Sequence, residues 1–91
     1  MARWNESESG PGDNSEVIGE LDEIVLTCDL PDQKLTAGDI GTVVLVHGEG
    51  KGYEVEFMTL DGETIAVSTL RADQVRVVHH DEIAHARSIA S

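Results

Sequence analysis

The side chains best suited to chemistry in this 91-residue chain are few, and most of them stand near its end. "HHDE", residues 79 to 82, followed by His85, brings together three imidazoles and two carboxylates, the donor types that hold zinc. Zinc needs three or four such donors converging tetrahedrally. On a helix His80 and His85 are five residues apart and point to different faces, so the spacing favours a solvated tail over a metal centre. Cys28 is the only cysteine; it falls in an expected strand and has no basic neighbour in sequence to favour the thiolate, so it reads as a buried inert thiol. Ser68 and Thr69 lie among apolar strand residues, without the G-x-S-x-G turn that would expose a nucleophile. His47, beside a glycine turn, reads as a surface residue at a strand end.

"TAGDIGTVVLV", residues 36 to 46, offers the remaining candidate, a glycine pair that could cradle phosphate. Such a cradle needs free backbone amides at a helix N-terminus. Here the glycines lead into a β-branched strand, and Asp39 would repel an anion. Gly38 and Gly41 are therefore read as a turn and a close-packed strand start. No cofactor, metal site or nucleophile with a visible base is found, and the chain is expected not to be an enzyme.

The elements that carry these residues are short strands. Apolar residues make up 40% of the chain but aromatics only 3%, namely Trp4, Tyr53 and Phe57, so the core must rest on Val, Ile and Leu, which favour β-structure. "MARWNESESGPGDNSE" lacks an apolar period and is expected to be a disordered acidic arm over residues 1 to 20, with Trp4 its single sticky side chain. Strands are expected at about 23 to 28, 41 to 48, 53 to 58, 64 to 70 and 75 to 78, separated by Gly, Pro and Asp-Gly turns. The second is apolar on both faces and calls for cover on both sides or a sharp bend. The expected core is Leu26, Ile40, Val44, Val55, Phe57, Ile65, Val67, Val75 and Val77, with Ile65 and Val67 meeting Val55 and Phe57 across a hairpin. These five strands in residues 21 to 78 make a small all-β, SH3-like barrel. Residues 79 to 91 form a short C-terminal tail; Asp81 is an N-cap signal for a helix there, with a weak apolar stripe of Ile83, Ala86 and Ala90.

Charge narrows the partners. Eighteen acids against six bases give a formal charge of -12. The excess is spread over arm, barrel and tail, so the surface repels a phosphate backbone and attracts a basic protein. No nucleic acid is expected as a ligand. Proline-rich peptide recognition and single-strand stacking are disfavoured as well, because the barrel has only Tyr53 and Phe57 and both point inward. A single cysteine, no secretory apolar region and no long apolar run predict a cytoplasmic chain with no membrane span. Glu54 and Glu56 project from one strand face, and the flanking turns add Glu49, Asp61 and Glu63; these five residues are the candidate protein-binding patch.

The segment from "LDEIVLTCDLPD" to "LRADQVRVV", residues 21 to 78, resembles the bacterial family known as domain of unknown function 4926. "LPD" after the first strand, "AGDIGTVV", "YEVEF", "DGETIA" and the closing L-x-A-D-Q-V-R carry the resemblance. It implies an SH3-like barrel, similar in its "GDIGTVV" to the barrel domain of nitrile hydratase β subunits and to small electron-transport accessory proteins. It implies no established activity. The reading that follows is a non-catalytic protein-binding module, the acidic neutralising member of a two-gene pair of the antitoxin or immunity kind. The alternatives are an accessory domain docking on an enzyme subunit, and a KOW-like barrel that binds RNA or a ribosomal surface.

Overall fold

The computed structural model describes residues 17–89. The arm expected over residues 1 to 20, with Trp4, lies outside the described residues as far as residue 16. Five strands run in chain order: β1 (Glu23–Leu26), β2 (Ile40–His47), β3 (Gly52–Met58), β4 (Thr64–Arg71) and β5 (Val75–Val77). Two 3-10 turns, Pro31–Gln33 and Ala72–Gln74, interrupt the loops, and no α-helix occurs among the described residues. The strands form one antiparallel sheet in the order β4-β3-β2-β1-β5, in keeping with the five-stranded all-β fold expected from the sequence.

β3 shows the period most plainly. Tyr53, Val55 and Phe57 are buried, while Glu54 and Glu56 stand on the opposite face. Around them close Ile24 and Leu26 from β1, Val43 from β2, Leu70 from β4, Val75 from β5 and Leu35 from the long loop. Ile24, Leu26, Val43 and Val55 are fully buried, each such side chain contributing about 1.5–3 kcal/mol relative to exposure. Ile18, Cys28 and Val46 pack against this cluster from its rim. Within residues 17–20, Gly19 N–H donates to the Asp22 carboxylate at 2.8 Å.

The apolar run of β2 resolves through a bulge. Val43 lies opposite Val55, yet the next pair is Leu45 opposite Glu54, so Val44 is an extra residue on the strand. Val43 and Val46 turn inward, and Val44 and Leu45 are both exposed. The expectation that Val44 is a core residue is thus corrected, as it is for Ile40, which is exposed, and for Val67. Val77 is half-buried, and β1 ends at Leu26 instead of residue 28.

Val67 fails for a reason of parity. Opposite Val55 stands Ser68, opposite Phe57 stands Ala66, and Val67 lies opposite Glu56 on the outer face. A two-residue Asp61-Gly62 loop would also place Phe57 opposite Ala66; here the same phase is reached by a three-residue loop and one bulged residue, against the apolar content of Ile65 and Val67. At the hairpin end Met58 pairs with Thr64, leaving Ile65 as a bulged, half-buried residue. Thr59 N–H donates to the Glu63 carbonyl at 2.9 Å, closing the loop Leu60–Gly62. Inward on β4 sits Ser68, 3% exposed, whose hydroxyl donates to the Gln33 side-chain carbonyl from the 3-10 turn. That bond satisfies a polar group in an otherwise apolar core.

The glycine pair of the 36 to 46 segment has two separate jobs. Gly38 turns the chain with φ +100° and its amide donates to the Leu26 carbonyl. Gly41 is buried under the core: a Cβ there would stand 2.5 Å from Val55 Cγ1 and 2.8 Å from Phe57 Cε1.

Candidate functional site

Two surfaces collect side chains that a partner could read. The first is the outer face of β2, β3 and β4. Directly opposed residues of antiparallel strands share a face, so Thr42, Glu56 and Val67 make one row, and Leu45, Glu54 and Thr69 the next. Val44 and Leu45 are each 41% exposed and Val67 is 55% exposed, so two carboxylates stand between three aliphatic side chains open to solvent. Glu54 Oε2 lies 3.0 Å from His47 Nε2, and Glu56 Oε2 accepts the Thr64 hydroxyl at 2.5 Å. Both carboxylates are held in place from the two ends of the face.

Of the five acids in the expected patch, only Glu54 and Glu56 meet on this face. Glu49 belongs to the turn joining β2 to β3, and Asp61 and Glu63 to the loop joining β3 to β4, at the other end of the seven-residue β3. The length of such a strand is about 20 Å, so the turn acids flank the face at its two ends instead of closing into one cluster.

The second surface was not anticipated. Residues 78 to 89 form no helix; after a turn from His79 to Glu82 they run as an irregular strap back along the barrel. The helix expected from Asp81 is overridden because its stripe is too weak to stand alone and the chain finds better partners on the barrel. Arg76 grips Glu82 through two bonds, Nη1 to Oε1 at 2.9 Å and Nη2 to Oε2 at 2.6 Å, and the His79 amide adds a third at 2.7 Å. These lower the Glu82 carboxyl to about 2, the Arg76 bonds first and the His79 amide second. Farther on, Arg87 forks onto Asp39, Nε to Oδ1 at 2.8 Å and Nη2 to Oδ2 at 2.5 Å, and also donates to the Lys34 carbonyl at 3.0 Å.

Asp39 is the receiving group. Its side chain is 18% exposed, and burial pushes its carboxyl up, but the Arg87 guanidinium and the Thr36 amide outweigh that and hold it below the usual value. Between strap and barrel lies a cleft of about 690 Å³, walled by Ile40, Phe57, Met58, Leu60 and Ile65 with Asp61 at its edge. Ile89 lines this cleft and its smaller neighbour beside Ile65 and Ala66. The tail is exposed from His79 to Ser88, and Glu82 and Arg87 tie it to the barrel. Its signal in the sequence was slight: Arg87 is the one base in residues 79 to 91, and Asp39 the one charge in the glycine turn.

The remaining sequence candidates separate. Cys28 is half-buried and accepts a long contact of 3.6 Å from Gln74 Nε2, so it is less enclosed than expected. His79, His80 and His85 do not gather: among the described residues no three His, Cys, Asp or Glu side chains are placed to share a metal ion. No helix among them is long and apolar enough to cross a membrane.

A family model described as Domain of unknown function (DUF4926) matches residues 20–77, from just before β1 to the end of β5. The chain belongs to this family. Comparison with curated proteins and with solved structures gives no match. The DUF4926 match stops short of the strap, so Asp39 falls inside the family segment and Arg87 outside it.

Proposed function

We propose that this DUF4926 protein is a non-catalytic module that binds a basic protein, in the manner of the acidic neutralising member of a two-gene pair. The observation that carries the reading is the outer sheet face, where Glu54 and Glu56 stand between exposed Val44, Leu45 and Val67. Scattered apolar exposure is ordinary, but three aliphatic side chains contiguous with two fixed carboxylates offer both desolvation and charge complementarity to one partner surface. The net charge of -12 supports it by favouring encounter with cations over the whole molecule. The core beneath is filled, with Val43, Val55 and Phe57 at most 3% exposed, so this face offers a contact surface instead of a substrate pocket.

Backbone-amide NMR of the chain, titrated with the protein product of the adjacent gene, tests the reading. The expected shifts cluster at Val44, Leu45, Glu54, Glu56 and Val67. Shifts confined to other faces, or none at all, would remove this face from the account.

A further inference from the structure

The strap poses a separate question. It contains no helix or strand, yet it lies along the barrel with Arg87 as a polar anchor and Ile89 as an apolar one two residues on. A guanidinium forked onto a carboxylate is a strong contact with defined geometry, the kind by which arginine is recognised specifically. The receiving side is prepared for it: Asp39 is positioned by the Thr36 amide at 2.8 Å, and the Lys34 carbonyl takes a further N–H from the same guanidinium. The strap does not fill what it covers, since about 690 Å³ remain between it and Ile40, Phe57, Met58, Leu60 and Ile65.

From this we infer that the cleft beside Asp39 is a second binding site, for an extended segment of a partner protein that carries an arginine with an aliphatic residue two positions later, and that residues 83–89 occupy it as a competing self-ligand. The inference rests on the reading of the chain as a protein-binding module but uses another face. Neither Glu54 nor Glu56 lines the cleft. Arg87 and Ile89 supply the template: they show what charge and what spacing Asp39 and the Ile65–Ala66 wall accept. A tethered segment acts at an effective concentration on the order of 1 mM, so a free peptide whose intrinsic Kd is about 0.1 mM would be weakened roughly tenfold by the strap. A partner segment with a larger aliphatic or aromatic side chain for the unfilled space would overcome that competition and release residues 83–89.

The probe is a fluorescent peptide with the sequence HDEIAHARSI, His80 to Ile89, titrated by anisotropy into full-length chains. The Arg87→Ala chain, whose strap has lost its anchor, should bind it about tenfold more tightly than the wild-type chain. A peptide carrying Arg87→Glu should bind neither, and Glu54→Lys with Glu56→Lys in the chain should leave peptide binding unchanged. Asp39→Asn in the chain should abolish binding; if that variant loses its turn, the Arg87→Glu peptide against the wild-type chain still decides the matter. Equal binding by wild-type and Arg87→Ala chains, equal binding of the two peptides, or no binding at up to about 2 mM peptide overturns the inference. Because no partner protein enters the assay, its failure would leave the outer-face reading standing, and the reverse holds too.

Discussion

Gly41 leaves no room for a methyl group, because Val55 and Phe57 already stand where its Cβ would go. Gly41→Ala should therefore destabilise the barrel by about 3 kcal/mol through overpacking, read as a lowered urea midpoint at unchanged slope. Gly38→Ala meets open space but forces an L-residue to φ +100°, and should cost only about 1–2 kcal/mol. If the two variants lose the same stability, the packing role of Gly41 is wrong. That Gly41 starts a close-packed strand was legible in "DIGTVV", since glycine before a β-branched run invites close approach; which side chains approach was not, because they belong to another strand. The Asp39 and Arg87 pair was illegible for a similar reason. The two residues are 48 apart, and nothing local marks either as half of an ion pair.

β2 and β4 show where periodicity informs and where it misleads. An apolar run of Val43 to Val46 signalled a bend or double cover, and the bulge at Val44 supplies the bend, turning two neighbours outward together. On β4 the most apolar residues, Ile65 and Val67, suggested the wrong inward face; register set by the hairpin put Ala66, Ser68 and Leu70 inside. The sparing burial of Ser68 depends on Gln33, so Ser68→Ala should cost about 1 kcal/mol in thermal or urea unfolding. The strap makes a prediction in pH. Two carboxylates at its contacts are depressed in the folded chain, Asp39 of the barrel below its usual value and Glu82 of the strap from 4.5 to about 2. A depressed carboxyl stabilises the docked form above its ordinary value and loses that contribution as pH falls through the folded value. The amide signals of Arg87 and Ile89 should therefore hold steady from neutral pH to the ordinary carboxyl range near 4.5 and move toward free-chain positions as pH approaches 2. Release between neutral pH and the ordinary carboxyl range would contradict it.

At the scale of the molecule, an acidic barrel with a filled core presents charge, one mixed face and one strapped cleft. Fold class and strand number were legible because turn signals punctuate the chain and β-branched residues dominate it. The shared face of Glu54 and Glu56 was legible from alternation, while Glu49, Asp61 and Glu63 were grouped with them by nearness in sequence and stand in the turns at the two ends of β3. With -12 net charges, no duplex or single-stranded nucleic acid should shift in a native gel even at low salt, where phosphate contacts are strongest. A tight shift there would favour the RNA-binding alternative. The central claim is tested most directly by stopped-flow association of the chain with the product of the adjacent gene across ionic strength. Lys in place of both Glu54 and Glu56 should slow association about tenfold and flatten its salt dependence. An unchanged rate with an unchanged salt slope would contradict it.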